Sequence, residues 1–132
     1  MRAKLLSVLC LLILTTALRA DDKAPIDVTD VETIQKSVSK EITVKGKVGE
    51  ARWTRSGNIM FINFDKVKRT DFVAIAKKEN KETLDKAFGG DFAKAIDGKT
   101  ITVSGLVTTF KETPQIEVTK PEQVKIIEEE KK

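Results

Sequence analysis

The spacing of apolar positions changes period several times after residue 28, and each change marks an element. Thr29-Asp30-Val31-Glu32 has the S/T-x-x-E spacing in which a hydroxyl and a later carboxylate cap each other's backbone donors, predicting a short helix to about Ser37. Val31, Ile34 and Val38 would be its buried stripe. From Glu41 the period becomes two: Ile42, Val44 and Val48 alternate with Thr43, Lys45 and Lys47, and Gly46 stands where the next apolar residue should fall. A glycine inside a strand marks a bulge, a sharp bend or close backbone contact. The turn signal WTRSGN at 53–58 leads into a second strand, Ile59 to Phe64. Both faces of that strand are mostly apolar, so one is core and the other is covered or is an exposed platform. The charged loop DKVKRTD then reaches a third strand, Phe72 to Ala76.

Asn80 reads as the cap of a helix with Leu84, Ala87 and Phe88 inward, stopped by Gly89-Gly90. Asp91 restarts a short turn with Phe92 and Ile96 inward, ended by Gly98. The fourth strand is Thr100 to Phe110, the loop Lys111 to Pro114 follows, and Gln115 to Val118 is the fifth strand. After Pro121, Gln123 to Ile127 adds a last extended piece. Residues 42–48 (ITVKGKV) and 101–107 (ITVSGLV) match at five of seven places, which suggests two strands bending around one small closed sheet. Short strands with a helix between the third and fourth, and a capped helix in front, predict an all-β fold. Its form is the five-stranded Greek-key barrel of the OB type, in which the first and fourth strands lie side by side.

Composition changes this picture at the N-terminus. Arg2 and Lys4 precede the apolar run Leu5 to Leu14 and a small-residue stretch reaching Ala20, the pattern of a signal peptide over residues 1–20. The run is too short for a membrane span, which needs about 20 residues. The chain is therefore expected to be exported, to the periplasm or the exterior. Without Arg2, Lys4 and Arg19, 21 basic groups face 20 acidic ones, so the high overall pI is a property of the leader. Residues 21–28 read as a loose tail, 29–127 as the OB domain with its N-terminal helix, and 128–132 as a solvated charged tail. With Cys10 in the leader and no histidine or tyrosine anywhere, the domain has no thiol or imidazole for catalysis or metal binding. No metal, cofactor or enzymatic activity is expected.

The stretches V-x-G-x-V (Val44, Gly46, Val48), F-I-N-F (Phe61 to Phe64), D-G-K-T-I-T-V-S-G (Asp97 to Gly105), P-Q-I-E-V (Pro114 to Val118) and P-E-Q-V (Pro121 to Val124) carry a resemblance. Over residues 40–127 the chain resembles small exported bacterial OB-fold domains, of the kind attached to secreted nucleases and related to anticodon-binding OB domains. It departs from them after F-I-N-F, where a glycine and a short aromatic strand are replaced by DKVKRTD. Small periplasmic OB proteins linked to stress responses share the same plan. The resemblance implies an OB fold and a nucleic-acid-binding role.

An OB barrel that binds single strands combines a basic groove with aromatic faces for stacking, on the second and third strands and the flanking loops. Between Lys45 and Arg69, seven basic side chains face two acidic ones, and Trp53 is the only tryptophan. The expected nucleic-acid-binding residues are Lys47, Arg52, Trp53, Arg55, Phe61, Asn63 and Lys111. Each has a plainer reading. Trp53 could be a core or rim residue, Phe61 could pack under the N-terminal helix, and Asn63 could satisfy a local backbone group. Lys66, Lys68 and Arg69 read as a solvated loop. The expected partner of this monomer is single-stranded nucleic acid. The alternatives are an envelope protein, a small ligand or an oligosaccharide.

Overall fold

In the computed structural model, residues 24–127 are described; the leader and the EEEKK tail predicted from sequence lie outside them. Seven strands form one sheet: β1 Ile26–Asp27, β2 Glu41–Trp53, β3 Ile59–Phe64, β4 Val73–Lys77, β5 Thr100–Phe110, β6 Thr113–Val118 and β7 Val124–Ile126. The helices are α1 Val31–Lys36, α2 Lys81–Ala87 and α3 Phe92–Ile96. The order β1-β2-β3-β4-β6-β5-β7 is closed by the additional pairing of β2 with β5. Strands β2, β3, β4, β6 and β5 therefore make a five-stranded barrel, with β4 parallel to β6 and the other barrel pairs antiparallel. This is the OB-fold barrel that the strand order predicts. No helix among the described residues is long and apolar enough to cross a membrane.

Strand β2 is longer than the alternation 42–48 suggests because it serves two neighbours. Its first half pairs with β5, its second half with β3, and the register shifts between Val48 and Glu50. The bulge therefore falls at Gly49. Inward positions move from Val44 and Val48 before it to Ala51 after it. Val44, Val48, Met60, Ile62, Ala74, Ala76, Ile101, Val103, Val107, Ile116 and Val118 fill the interior. Ile34 of α1 is fully buried, and α1 is joined to the barrel where Ser39 donates to the Val107 carbonyl (2.8 Å). The other end receives Leu84, Phe92 and Ile96, each 0% exposed.

The repeated motif has a tertiary cause. In the β2–β5 ladder the two copies pair with each other, Ile42 opposite Gly105, Thr43 opposite Ser104, Val44 opposite Val103 and Gly46 opposite Ile101. Thr43 Oγ1 and Ser104 Oγ share a 2.7 Å hydrogen bond across the pair. Each strand also divides its second edge between two partners: β2 between β3 and β1, and β5 between β6 and β7. At each glycine another segment crosses close by. A methyl on Gly46 would overlap Val28, and one on Gly105 would lie 2.8 Å from Ile116 Cγ2 and 3.0 Å from Gln123 Nε2. Gly46 is thus a site of close approach, and the bend belongs to Gly49.

Three local expectations are corrected. Residues 26–28 are not loose tail: β1 runs parallel to β2, Val28 donates to the Lys45 carbonyl (2.9 Å), and its side chain is 1% exposed. That pinning turns Asp27 back to accept from Thr29 N–H (2.9 Å) and hydroxyl (2.6 Å), so Asp30 caps α1 through Thr33 N–H (3.3 Å) in place of the Thr29–Glu32 box. Ala87 is exposed, and the inward residues of the second helical region are Leu84, Phe92 and Ile96, with the Phe88 ring tilted against that of Phe92 at a centroid distance of 4.9 Å.

Candidate functional site

The outer face of β2, β3, β4 and β6 carries the candidate site. On β3, Met60, Ile62 and Phe64 point inward, so Ile59, Phe61 and Asn63 point out. Register then sets a row across four strands, with Arg52 opposite Phe61, Phe61 opposite Ile75 and Ile75 opposite Glu117. Glu50 lies opposite Asn63. The outward Val73 and Ile75 are only 4% exposed, so the centre of this face is already covered by side chains.

Between β2, β3 and the 65–71 loop lies a cleft of about 430 Å³, lined by Glu50, Arg52, Thr54, Phe61, Asn63, Val67 and Arg69. That is within the roughly 300–1,000 Å³ of small-ligand sites. The Arg69 guanidinium sits over the Phe61 ring, 4.5 Å from its centroid. Arg52 Nε meets Glu50 Oε2 at 2.9 Å, with side chains 72% and 52% exposed. A pair so open to water contributes no more than about 1 kcal/mol, and it does not commit Arg52 to Glu50. Asn63 Oδ1 is shut off from solvent and has no hydrogen-bond partner within the protein. An acceptor in that state costs about 1–3 kcal/mol relative to a satisfied one.

The loop that forms one wall is pinned at both feet. Phe64 before it and Phe72 after it are buried and stack at 6.0 Å, and Val67 packs against the core. Lys68 and Arg69, between these anchors, are exposed.

The seven sequence-predicted residues are not gathered at one point. Arg52, Phe61 and Asn63 share the cleft. Lys47 is exposed, and its carbonyl accepts from Asp65 N–H (2.8 Å), placing it by the start of the 65–71 loop. Lys111 is in the β5–β6 hairpin, which touches the same loop through Thr113 Oγ1 and the Thr70 carbonyl (3.3 Å). Arg55 is exposed in the β2–β3 turn. Trp53 follows Arg52 and so points to the other side, where it packs against the core with Lys81 Nζ 5.7 Å from its ring. Phe61 packs under Arg69 and not under α1. Arg69 is the cleft residue that sequence reasoning set aside. A single arginine in a lysine-bearing loop that directly follows an aromatic strand was the available signal.

A second cleft, about 460 Å³, opens where β5 and β6 diverge, around Gln123. There the Gln123 amide donates to the Ser104 and Glu117 carbonyls (both 2.9 Å) and accepts from Thr119 N–H, Thr119 Oγ1 and Lys120 N–H. This cleft is a clamp across the split edge of β5, with its central amide fully used.

The barrel and its outer face define an OB-fold protein. No family model matches the chain, and no curated protein matches it. Among solved structures it is similar to a chain assigned as an aspartyl-tRNA synthetase from Leishmania major Friedlin, with 13% identity over 86% of this chain and 22% of that one and a TM-score of 0.50. An aspartyl tRNA synthetase from Entamoeba histolytica matches with 14% identity over 74% of this chain and 20% of that one, at a TM-score of 0.46. The chain corresponds to about a fifth of the length of these synthetase chains. At such identities the likeness concerns the fold.

Proposed function

We propose that the chain is a non-catalytic, exported OB-fold module that binds single-stranded or otherwise accessible nucleic acid, with little sequence preference, across the outer face of β2 and β3. The observation that carries this reading is the cleft, which unites two guanidinium groups, Arg52 and Arg69, with the face of Phe61 and the amide of Asn63. Guanidinium groups hold phosphates, and an aromatic face contributes about 1–3 kcal/mol per stacked base. The fold is one that carries oligonucleotide sites on this face. Lys47 and Lys111 extend the basic groups toward the loop end. Export rests on the leader-like pattern of residues 1–20.

The test is anisotropy of a labelled single-stranded DNA octamer. With three or four phosphates held by basic groups, affinity should fall about 20- to 50-fold between 50 and 200 mM salt. Arg52→Glu, which sets a second carboxylate beside Glu50, should weaken binding at least about tenfold. Trp53 lies off this face and serves as a folding monitor. No binding at low salt, or binding indifferent to salt, would sink the reading. Salt-insensitive capture of a protein would favour the alternative partner class, for which Phe110, 61% exposed at the end of β5, is the supporting observation.

A further inference from the structure

We propose that the cleft is a single-base pocket held shut by Arg69, which occupies the stacking position on Phe61 until a nucleobase takes it. The proposal rests on the nucleic-acid reading above and adds the ligand's recognised part and the residue that gates it.

Three observations meet at the same place. The Arg69 guanidinium, a flat group, is 4.5 Å from the Phe61 centroid, so the ring face on the cleft side is already covered by something with the outline of a planar ligand. A base cannot slide between groups that close, and must replace the guanidinium. Asn63 lines the same cleft with a buried acceptor that no protein group satisfies. Every nucleobase carries an in-plane N–H donor, so a base on Phe61 can bring the missing donor to Asn63 Oδ1, which a turn of the Asn63 amide toward the cleft would present, while its own ring covers Phe61. Arg69 lies in an exposed run of a loop whose ends are anchored by the stacked Phe64 and Phe72 and by Val67. Its side chain can therefore swing without displacing the barrel. Once released, it stands at the cleft mouth beside Arg52, where it can meet the phosphate attached to the bound base.

The test compares a mixed-sequence single-stranded octamer with an abasic octamer of the same length and charge, on the full chain at low salt. The readout is the ratio of their affinities. In the unmodified protein the base-bearing strand should bind about tenfold or more tighter. Phe61→Leu keeps the apolar bulk and loses the aromatic face, so the ratio should fall to near one. Asn63→Leu should lower it about fivefold or more, because the acceptor is gone. Arg69→Ala should weaken the abasic strand, which reads only charge, yet raise the ratio about two- to fivefold, because the competitor for Phe61 is gone. Trp53 emission and thermal melting verify that each variant is folded, and Arg69→Ala, in the exposed loop, carries the test if Phe61→Leu is not. If both strands bind equally to the unmodified protein, the base pocket is overturned while the nucleic-acid reading stands. If neither binds, both fall. A ratio that drops on Arg69→Ala overturns the gating role.

Discussion

Val28 rests on Gly46, and the pair shows how much of this barrel turns on single residues. A methyl at position 46 has no room beside the stiff, β-branched Val28, whose own side chain is 1% exposed. Gly46→Ala should cost about 1–3 kcal/mol by overpacking, and Val28→Ala a similar amount by leaving a cavity. Made together they should cost less than the sum, since the smaller residue at 28 makes room for the new methyl; urea denaturation of the two single variants and the double gives the coupling. An additive result would mean that the close approach is relieved elsewhere. Sequence alone marked Gly46 as special, by bulge, bend or contact, and favoured the bend. The choice among them depends on Val28, eighteen positions earlier, in a segment with no strand signal of its own. Arg52 and Phe61 were legible in the same partial way: each was marked by type, but their partner Arg69 is set by a loop path that no periodicity encodes.

Among the elements, the β5–β6 hairpin departs most from its expected form. The predicted four-residue loop is a two-residue turn, Lys111-Glu112, with φ of 50° and 72°, and β6 begins at Thr113 with Thr113 opposite Phe110. Two positive φ values in a two-residue hairpin are the geometry that favours Asn-Gly. Neither residue here is suited to it, so the turn signal was missing, and Pro114 further suggested loop. The flanking ladder imposes the turn. Replacing Lys111-Glu112 with Asn-Gly should therefore raise stability by about 1 kcal/mol, seen as a higher urea midpoint with unchanged slope. Strand β2 shows the converse. Its alternation is plain up to Val48, and no alternation is legible between Gly49 and the turn signal at 53–58. The bulge at Gly49 shifts the inward parity, which hides the strand from a strict period of two.

For the whole molecule, a closed sheet leaves two open ends, and the helices cover them. The lid formed by α2 and α3 is held by Asp85, which accepts from Lys81 Nζ and from Phe92 N–H, both at 2.8 Å. Burial opposes the Asp85 charge, but these two hydrogen bonds and the Lys81 charge outweigh it, so its carboxyl titrates below the usual range. The Asp85 hydrogen bond and charge raise Lys81. A carboxylate with a depressed folded value contributes stability above the ordinary pKa of about 3.9 and loses it as pH falls through the folded value. For the raised lysine, the contribution is complete below about 10.4 and is lost as pH rises through its folded value. Asp85→Asn should thus lower stability at pH 7 by about 1 kcal/mol or more. At pH 3 and below, the gap to the unmodified protein should narrow, as compared by urea midpoints at the two pH values. A gap that widens in acid would contradict the assignment.

What the sequence determined by itself is the part of the protein governed by local repetition. That part comprises the alternating runs of the barrel strands, the need for one face of IMFINF to be core, the short helical turns at Leu84 and Phe92, and the kinship of the two ITVxGxV stretches, since side-chain period follows directly from backbone geometry. The tertiary structure decided which segment crosses each glycine, which edge of β2 and β5 passes to which neighbour, and which face Trp53 takes. It also decided that Arg69 covers Phe61 beside an unsatisfied Asn63. Those outcomes depend on contacts between residues far apart in the chain, fixed only when the barrel closes and brings the loop over its outer face.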